Sequence, residues 1–174
     1  MFDIVMFVVG STGILLLSRQ ALRNMHSHGF YRFFAFELLL ILLLMNRHYW
    51  FDEPFALPQI LSWILLSVSL VFAVQGFSLL RNVGKPGRQI ESTRVLVQVG
   101  IYKYIRHPLY SSLMLFGWGV FFKQLCKAAV ILTALATVFL LLTAKVEEGE
   151  NTEKFGEAYT TYMAGTKRFF PYIF

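Results

Sequence analysis

The sequence has few charged residues and a single cysteine, and both shortages restrict what it can be. Charged side chains make up 15% of its 174 residues, against about 25% in ordinary globular proteins. The lone Cys126 excludes an internal disulfide framework and a cysteine-rich metal site. Hydrophobic residues make up 56% of the chain and include 18 phenylalanines. Because a soluble domain of this length cannot bury so much apolar surface, we predict an integral membrane protein surrounded by a lipid bilayer.

The apolar residues fall into five stretches. A helix needs about 20 residues to cross a hydrocarbon core about 30 Å thick, so the third stretch suffices alone and the first, second and fifth need interfacial flanks. The fourth is either a short span or one arm of a re-entrant hairpin with the fifth. We predict an all-α integral membrane protein with about five transmembrane helices, the last two forming a helical hairpin. The stretches are Phe2 to Ser18, Phe30 to Met45, Leu57 to Leu80, Leu109 to Phe122 and Ala128 to Ala144.

A further helix is predicted after the fifth stretch. Phe155, Tyr159 and Tyr162 fall at positions i, i+4 and i+7, which is the spacing of one helical face. We expect an amphipathic C-terminal helix from Glu147 to Tyr162 that lies against the membrane surface.

Basic residues predict the orientation, because short cytoplasmic loops carry an excess of Lys and Arg. With the first loop, the third loop and the tail inside, 13 of the 16 basic residues lie inside and 3 outside. We therefore expect an outside N-terminus and a cytoplasmic C-terminus, in a prokaryotic inner membrane because no organelle signal is present. This distribution explains the net charge of +6 without nucleic acid, and the scattered histidines predict no metal site.

The predicted hairpin brings two polar segments together. Whether the fourth and fifth stretches cross the membrane or re-enter it, they leave and return on the same side. The segment before Leu109 and the segment after Ala144 are therefore expected to be neighbours at the cytoplasmic surface. The residues best suited to chemistry lie in these two segments.

The first of these segments contains the sequence GIYKYIRHPLY, from Gly100 to Tyr110. Pro108 favours an extended residue before it and the start of a helix after it. Arg106 and His107 would then lie at the positive end of the fourth helix, where free backbone N–H groups favour a carboxylate or phosphate. The alternative is a basic interfacial belt with aromatic anchors.

The second segment begins with two adjacent acids, Glu147 and Glu148. They follow an apolar helix, whose C-terminal end carries partial negative charge. Because this end disfavours further negative charge, the two acids require a cationic partner. Local pairing with Lys145 or Arg106 is one interpretation. A ligand that carries an ammonium or sulfonium group is the other.

Two features lie within the apolar stretches themselves. Glu37 is a carboxylate inside the second stretch, and such residues are either functional or paired near the surface, here with Arg32 one helical turn away. Gly117 and Gly119 are expected to allow close packing of helices.

Taken together, the C-terminal motifs resemble a known family. The segments RVLVQVGIYKYIRHPLY, EEGENTEKFGEAYTTY and KRFFP, in this order and spacing between Arg94 and Pro171, are similar to those of the isoprenylcysteine carboxyl methyltransferase family. That family of membrane enzymes is close to the phospholipid N-methyltransferases. The resemblance implies one membrane methyltransferase domain over 1–174, with three N-terminal spans in 1–80 and a cofactor-binding region in 94–171.

The resemblance also implies a cofactor and its contacts. S-adenosylmethionine would lie at the cytoplasmic face. We add the hypothesis that Arg168 helps to close the site over it as a catalytic residue. The acceptor would be a small hydrophobic or lipid-like molecule that enters from the bilayer. The cofactor contacts that the resemblance implies by position are Leu96, Val97, Tyr102, His107, Pro108, Leu109, Tyr110 and Glu147, and the two segments add Arg106 and Glu148 to the predicted set.

One departure narrows the substrate, and two other functions remain open. Thr143 stands where the prenylcysteine enzymes carry a substrate-binding arginine, so a prenylcysteine carboxylate is not the predicted acceptor. An NADPH-dependent membrane reductase of similar architecture is one alternative, with cationic side chains for the cofactor phosphates. A non-catalytic membrane scaffold is the other. The reductase would use Arg81, Lys85, Arg88 and Arg94.

Overall fold

The structure, a computed structural model, describes residues 2–85 and 93–171. Arg88, one of the cations named for the reductase alternative, lies outside these residues. In the described residues the regular structure is helical, apart from isolated bridges such as the parallel one between Ile105 and Lys167. The all-α prediction is thus confirmed. The helices are α1 Phe2–Ser18, α2 His28–Asn46, α3 Leu57–Asn82, α4 Pro108–Phe121, α5 Lys127–Phe155 and α6 Glu157–Gly165, with 3-10 turns at Ala21–Arg23, Arg47–Tyr49 and Gly100–Lys103.

Three of the described helices are long and apolar enough to cross a membrane: α2 with the turn after it, α3 and α5. The apolar helices α1 and α4 are shorter, with 17 and 14 residues. Large apolar side chains of the long helices face outward, for example Leu70 and Ile131, which are 65% and 59% exposed. Such a surface suits lipid as the surrounding solvent. An integral membrane protein is therefore confirmed, while crossing by α1 and α4 stays a prediction.

The C-terminal helix differs from its predicted bounds. α5 does not end near Ala144 but continues through Glu147 and Glu148 to Phe155, because Glu and Lys are good helix formers beyond the apolar part. The break comes at Gly156, whose φ of 59° lies in the left-handed region that glycine adopts readily. α6 is therefore a separate helix that begins at Glu157, and it buries Tyr159 and Tyr162.

The chain divides into two compact units. The first comprises the residues up to Leu66 together with Met114–Glu147, and the second comprises Ser67–Leu113 together with the residues from Glu148 onward. The predicted single domain over 1–174 and its subdivision stay predictions.

Within the first unit, small residues allow helices to approach closely, as predicted. A Cβ atom on Gly117 would lie 2.9 Å from Leu39 of α2, and one on Gly119 would lie 2.9 Å from Leu66 of α3. The Gly119 carbonyl also accepts a hydrogen bond from Ser62 Oγ at 2.7 Å.

The intramembrane carboxylate of Glu37 also lies in the first unit. Its Oε1 accepts a hydrogen bond of 3.0 Å from Ser11 Oγ on α1. This contact gives Glu37 a structural partner that the sequence did not indicate.

A buried lysine organises the turn between α4 and α5 in the same unit. The Lys123 ammonium donates hydrogen bonds to Gln59 Oε1 at 3.0 Å and to the Trp50 carbonyl at 3.3 Å, and it lies 3.5 Å from the centre of a Trp63 ring. Lys123 is only 4% exposed, and this burial lowers its pKa.

In the second unit, the turn before α4 depends on glycine. Gly100 has a φ of 60°, and a Cβ atom there would lie 2.6 Å from Leu79 of α3. On the same helix, Gly76 allows α3 to approach Leu109 at the start of α4. These close approaches fix the chain that leads into the candidate site.

Candidate active site

Two segments of the second unit pair through their backbones. Arg106 N–H donates to the Lys167 carbonyl at 2.9 Å, and His107 N–H donates to the Arg168 carbonyl at 3.1 Å. In the opposite direction, Lys167 N–H donates to the Tyr104 carbonyl at 3.0 Å. This pairing holds Arg106 and Arg168 on adjacent stretches of chain although they are far apart in sequence.

Glu148 is the centre on which these side chains converge. Its Oε1 accepts hydrogen bonds from Arg106 Nε at 2.9 Å and from Arg168 Nε at 3.1 Å, and its Oε2 accepts one from Arg168 Nη2 at 2.6 Å. His107 Nε2 lies 3.3 Å from Oε1. We call these four residues the Glu148 cluster. The expected meeting of the segments on either side of the hairpin is therefore confirmed.

The Glu148 cluster carries more positive than negative charge. One carboxylate, 9% exposed, faces two guanidinium groups. Its hydrogen bonds raise the pKa of Arg168 above the ordinary value of an arginine. The Arg168 side chain is 30% exposed, against 10% for Arg106, so the excess charge is accessible at Arg168.

Arg106 has a second set of partners that ties down the end of α6. Its Nη1 donates to the Met163 carbonyl at 3.1 Å and to the Thr166 carbonyl. These carbonyls belong to the last turn of α6 and the residue after it, where backbone acceptors lack helical partners. Because its Nε donates to Glu148, the Arg106 guanidinium links Glu148 to the end of α6 and holds the C-terminal segment in place.

His107 is fixed by ring packing. It is 5% exposed, and its ring stacks on Tyr110 with centroids 5.4 Å apart and contacts Phe169 at 6.0 Å. α4 begins at Pro108 directly after it, as the sequence predicted. Ser111 Oγ lies 2.7 Å from the Phe169 carbonyl and joins the first turn of α4 to the C-terminal segment.

Apart from Glu147, the remaining implied cofactor residues lie in the second unit. Tyr102 is buried, its hydroxyl lies 3.4 Å from the Gly76 carbonyl, and its own carbonyl accepts a 2.6 Å hydrogen bond from Tyr162. Val97 is buried, and Leu96 and Leu109 are half-buried. Their contact with a cofactor stays a prediction.

The two adjacent acids differ in their surroundings. Glu148 is paired with Arg106, which confirms the local interpretation for this residue. Glu147 precedes it on α5, is half-buried and is the last residue of the first unit. Its predicted role toward a cationic ligand stays a prediction.

Sequence reasoning missed several residues that build this site. The acceptors, ring contacts and hydrogen bonds described above come from Thr166, Phe169, Ser111 and Tyr162. The KRFFP motif indicated that the segment matters, but pattern alone gave no sign that its backbone pairs with the segment before α4.

Comparison with known proteins decides the family. The family model described as phospholipid methyltransferase matches residues 57–158, more than half of the chain. The chain belongs to the phospholipid methyltransferase family. The predicted resemblance to membrane methyltransferases is thereby confirmed, and the family supports methyl transfer over a reductase. The matched residues include Arg106, His107, Glu147 and Glu148, whereas Arg168 follows them.

Individual relatives agree with the family. Methanethiol S-methyltransferase of Crocosphaera subtropica is 28% identical over 116 residues, which are 65% of this chain and 44% of that protein. The enzyme of the same name from a Pseudomonas species is 24% identical over 105 residues, 59% of this chain and 40% of that protein. Methanethiol S-methyltransferase of Pseudomonas deceptionensis is 25% identical over 71 residues, which are 41% of this chain and 26% of that protein. The chain thus matches less than half the length of each of these family members.

Proposed function

We propose that this protein is an S-adenosylmethionine-dependent methyltransferase that acts at the cytoplasmic membrane face on a small hydrophobic or lipid-like acceptor. The observation that carries the proposal is the phospholipid methyltransferase match, because it spans most of the residues that build the Glu148 cluster. The basic-residue count supports the cytoplasmic placement, and a prokaryotic inner membrane is part of the proposal.

The residues of the chain fit the charges of the cofactor. S-adenosylmethionine supplies an activated methyl group on a sulfonium and carries an ammonium and a carboxylate. The exposed edge of Arg168 suits the carboxylate, because Glu148 already orients the guanidinium through two hydrogen bonds. The carboxylate of Glu147 suits the ammonium. The start of α4 after His107 adds partial positive charge from its N–H groups.

The chain's own residues contribute chiefly by positioning. Methyl transfer from sulfonium to a lone pair disperses charge, so an apolar site and in-line placement of the acceptor supply most of the acceleration. Glu148 and Arg106 lock the C-terminal segment, and the segment in turn presents Arg168. The packed ring of His107 closes one side against water. No proton-transfer triad is required by this chemistry.

The relatives favour a thiol as the first acceptor to test. Both Pseudomonas relatives and the Crocosphaera relative are methanethiol S-methyltransferases. In the proposed step a thiolate lone pair forms the new S–C bond, and the electrons of the broken bond stay on the cofactor sulfur. The proton of the thiol passes to solvent. The family description makes a lipid amine the second acceptor to test.

Titration with S-adenosylhomocysteine tests the proposal directly. We expect purified, folded protein to bind it by isothermal calorimetry and to transfer a labelled methyl group to methanethiol or to a lipid amine. NADPH is the control ligand, and binding of NADPH without S-adenosylhomocysteine would support the reductase instead. If folded protein, shown by a cooperative thermal transition, binds neither ligand, the non-catalytic scaffold is supported.

Substitution of Glu147 tests its assigned role. Glu147→Gln should weaken S-adenosylhomocysteine binding by roughly 2–3 kcal/mol, because one partner of a desolvated charge pair is lost. The loss of thermal stability should be smaller than this loss of binding energy. Lys145→Gln on the same helix is the matched control and should leave the affinity unchanged. Equal affinity in Glu147→Gln and wild type would remove Glu147 from the site.

A further inference from the structure

A small basic pocket lies in the second unit beside the paired backbone segments. It has a volume of about 120 Å³. The residues that line it are Lys103, Tyr104, Gly165, Lys167 and Pro171. Two of these five are cationic and none is acidic.

The backbone pairing sets the relative position of the two lysines. Lys167 N–H donates to the Tyr104 carbonyl at 3.0 Å, and Ile105 and Lys167 form a parallel bridge. Lys103 directly precedes Tyr104 at the end of the 3-10 turn. The two ammonium groups are thus supplied by segments in fixed register, although the side chains themselves are exposed.

The C-terminal end of α6 lies beside the pocket, and its negative charge is offset, so that it does not repel an anion. A helix C-terminus is normally negative because its last carbonyls lack partners. At the end of α6, however, Arg106 donates to the carbonyls of Met163 and Thr166. This guanidinium offsets the negative end beside Gly165 and leaves the two lysines to determine the sign of the pocket.

We propose that this pocket binds a phosphate group. The charge of the lining suits an oxyanion, for which lysine ammonium groups are point-charge donors. Tyr104 adds a phenol and is 48% exposed, as expected of an aromatic residue at a membrane interface. The phosphate comes either from a lipid headgroup or from free solution. This site is separate from the proposed cofactor contacts and does not rest on methyl transfer.

The test compares two phosphate sources on the detergent-purified full chain. Isothermal titration with inorganic phosphate and with dihexanoyl phosphatidylglycerol should each show one site, and dihexanoyl glycerol, which lacks the phosphate, should show none. Binding of the lipid without the inorganic ion assigns the headgroup as the source, and the reverse assigns the free ion. No binding of either, or equal binding of the phosphate-free lipid, overturns the proposal.

Charge removal tests the lysines themselves. The double variant Lys103→Gln/Lys167→Gln should lose about 30-fold in phosphate affinity, from about 1 kcal/mol for each basic residue near a headgroup. Lys103→Arg/Lys167→Arg should retain binding, and Lys145→Gln is the matched control that should not change it. A double Gln variant within threefold of wild type, or an equal loss in Lys145→Gln, contradicts the assignment.

The same variants separate this pocket from the proposed function. S-adenosylhomocysteine affinity should be unchanged in the double Gln variant, which also reports that the protein is folded. If the wild type binds phosphate but not S-adenosylhomocysteine, methyl transfer fails while the pocket stands.

Discussion

Each of the two units holds a buried ionic centre, and the centres are built in opposite ways. In the first unit a single ammonium, Lys123, is surrounded by a side-chain amide, a backbone carbonyl and a tryptophan ring. In the second unit a single carboxylate, Glu148, is surrounded by two guanidinium groups and an imidazole. One charge is satisfied by neutral groups and the other by an excess of opposite charge.

The difference separates a structural centre from a candidate site. Neutral acceptors and a ring solvate the Lys123 ammonium, and because this residue is only 4% exposed, its charge is closed off from a ligand. At Glu148 the cations outnumber the carboxylate, and one of them, Arg168, keeps an exposed edge. A local excess of oriented positive charge is what an anionic ligand group requires. We therefore propose the second unit as the place of the chemistry.

The largest expected effect comes from Glu148→Gln. Removal of one partner from a buried ion pair leaves uncompensated charge and costs about 3–5 kcal/mol. We expect a clear drop in the thermal transition of the detergent-solubilised protein. S-adenosylhomocysteine binding should fall with it, because the pairing that presents Arg168 is lost.

Glu147→Gln is the matched control for this loss of stability. It makes the same chemical change one residue earlier, at a half-buried carboxylate, and should lower the transition by less than Glu148→Gln does. If both variants melt alike, Glu148 is not the centre of the second unit and the contrast between the two units disappears.

The next effect is expected from Lys123→Met. The Gln59 amide oxygen and the Trp50 carbonyl would lose a donor, while the cost of burying an ammonium would be relieved. The net loss of unfolding free energy should be about 1–2 kcal/mol. Affinity for S-adenosylhomocysteine should not change, and a weakened affinity at unchanged stability would contradict the structural role.

A comparable effect, on binding rather than on stability, is expected from Arg168→Lys. The charge is kept, but a lysine cannot form the two-nitrogen contact with both Glu148 oxygens. We expect about 1–2 kcal/mol less binding energy for S-adenosylhomocysteine in calorimetry, with a small change in melting. An affinity equal to wild type would show that positive charge alone suffices at this position.

Much of the fold follows from the sequence because lipid imposes long apolar runs. The bounds of α1 and the start of α3 coincide with the apolar stretches. The end of α5 does not, because helix-forming Glu and Lys continue the helix beyond the apolar part until Gly156. Hydropathy marks the lipid boundary, whereas backbone propensity and glycine mark the helix boundary.

Only those contacts of the candidate site that follow from the topology of the hairpin were predictable. The hairpin requires the segment with Arg106 to meet the segment with Glu148, and it does. The pairing of that segment with Lys167 and Arg168 is a long-range backbone contact, which leaves no periodic trace in the sequence. The sequence therefore identified Arg168 as a site residue but gave no sign that its guanidinium binds Glu148.

The smallest expected effect sets the scale for the others. Tyr162→Phe removes one uncharged hydrogen bond, from the phenol to the Tyr102 carbonyl at 2.6 Å. Both residues are buried, and burial raises the pKa of the Tyr162 phenol, so the bond is a neutral one at ordinary pH. Its loss should cost about 1 kcal/mol of unfolding free energy. A cost as large as that of Glu148→Gln would mean that burial, and not the excess of cations, stabilises the second unit.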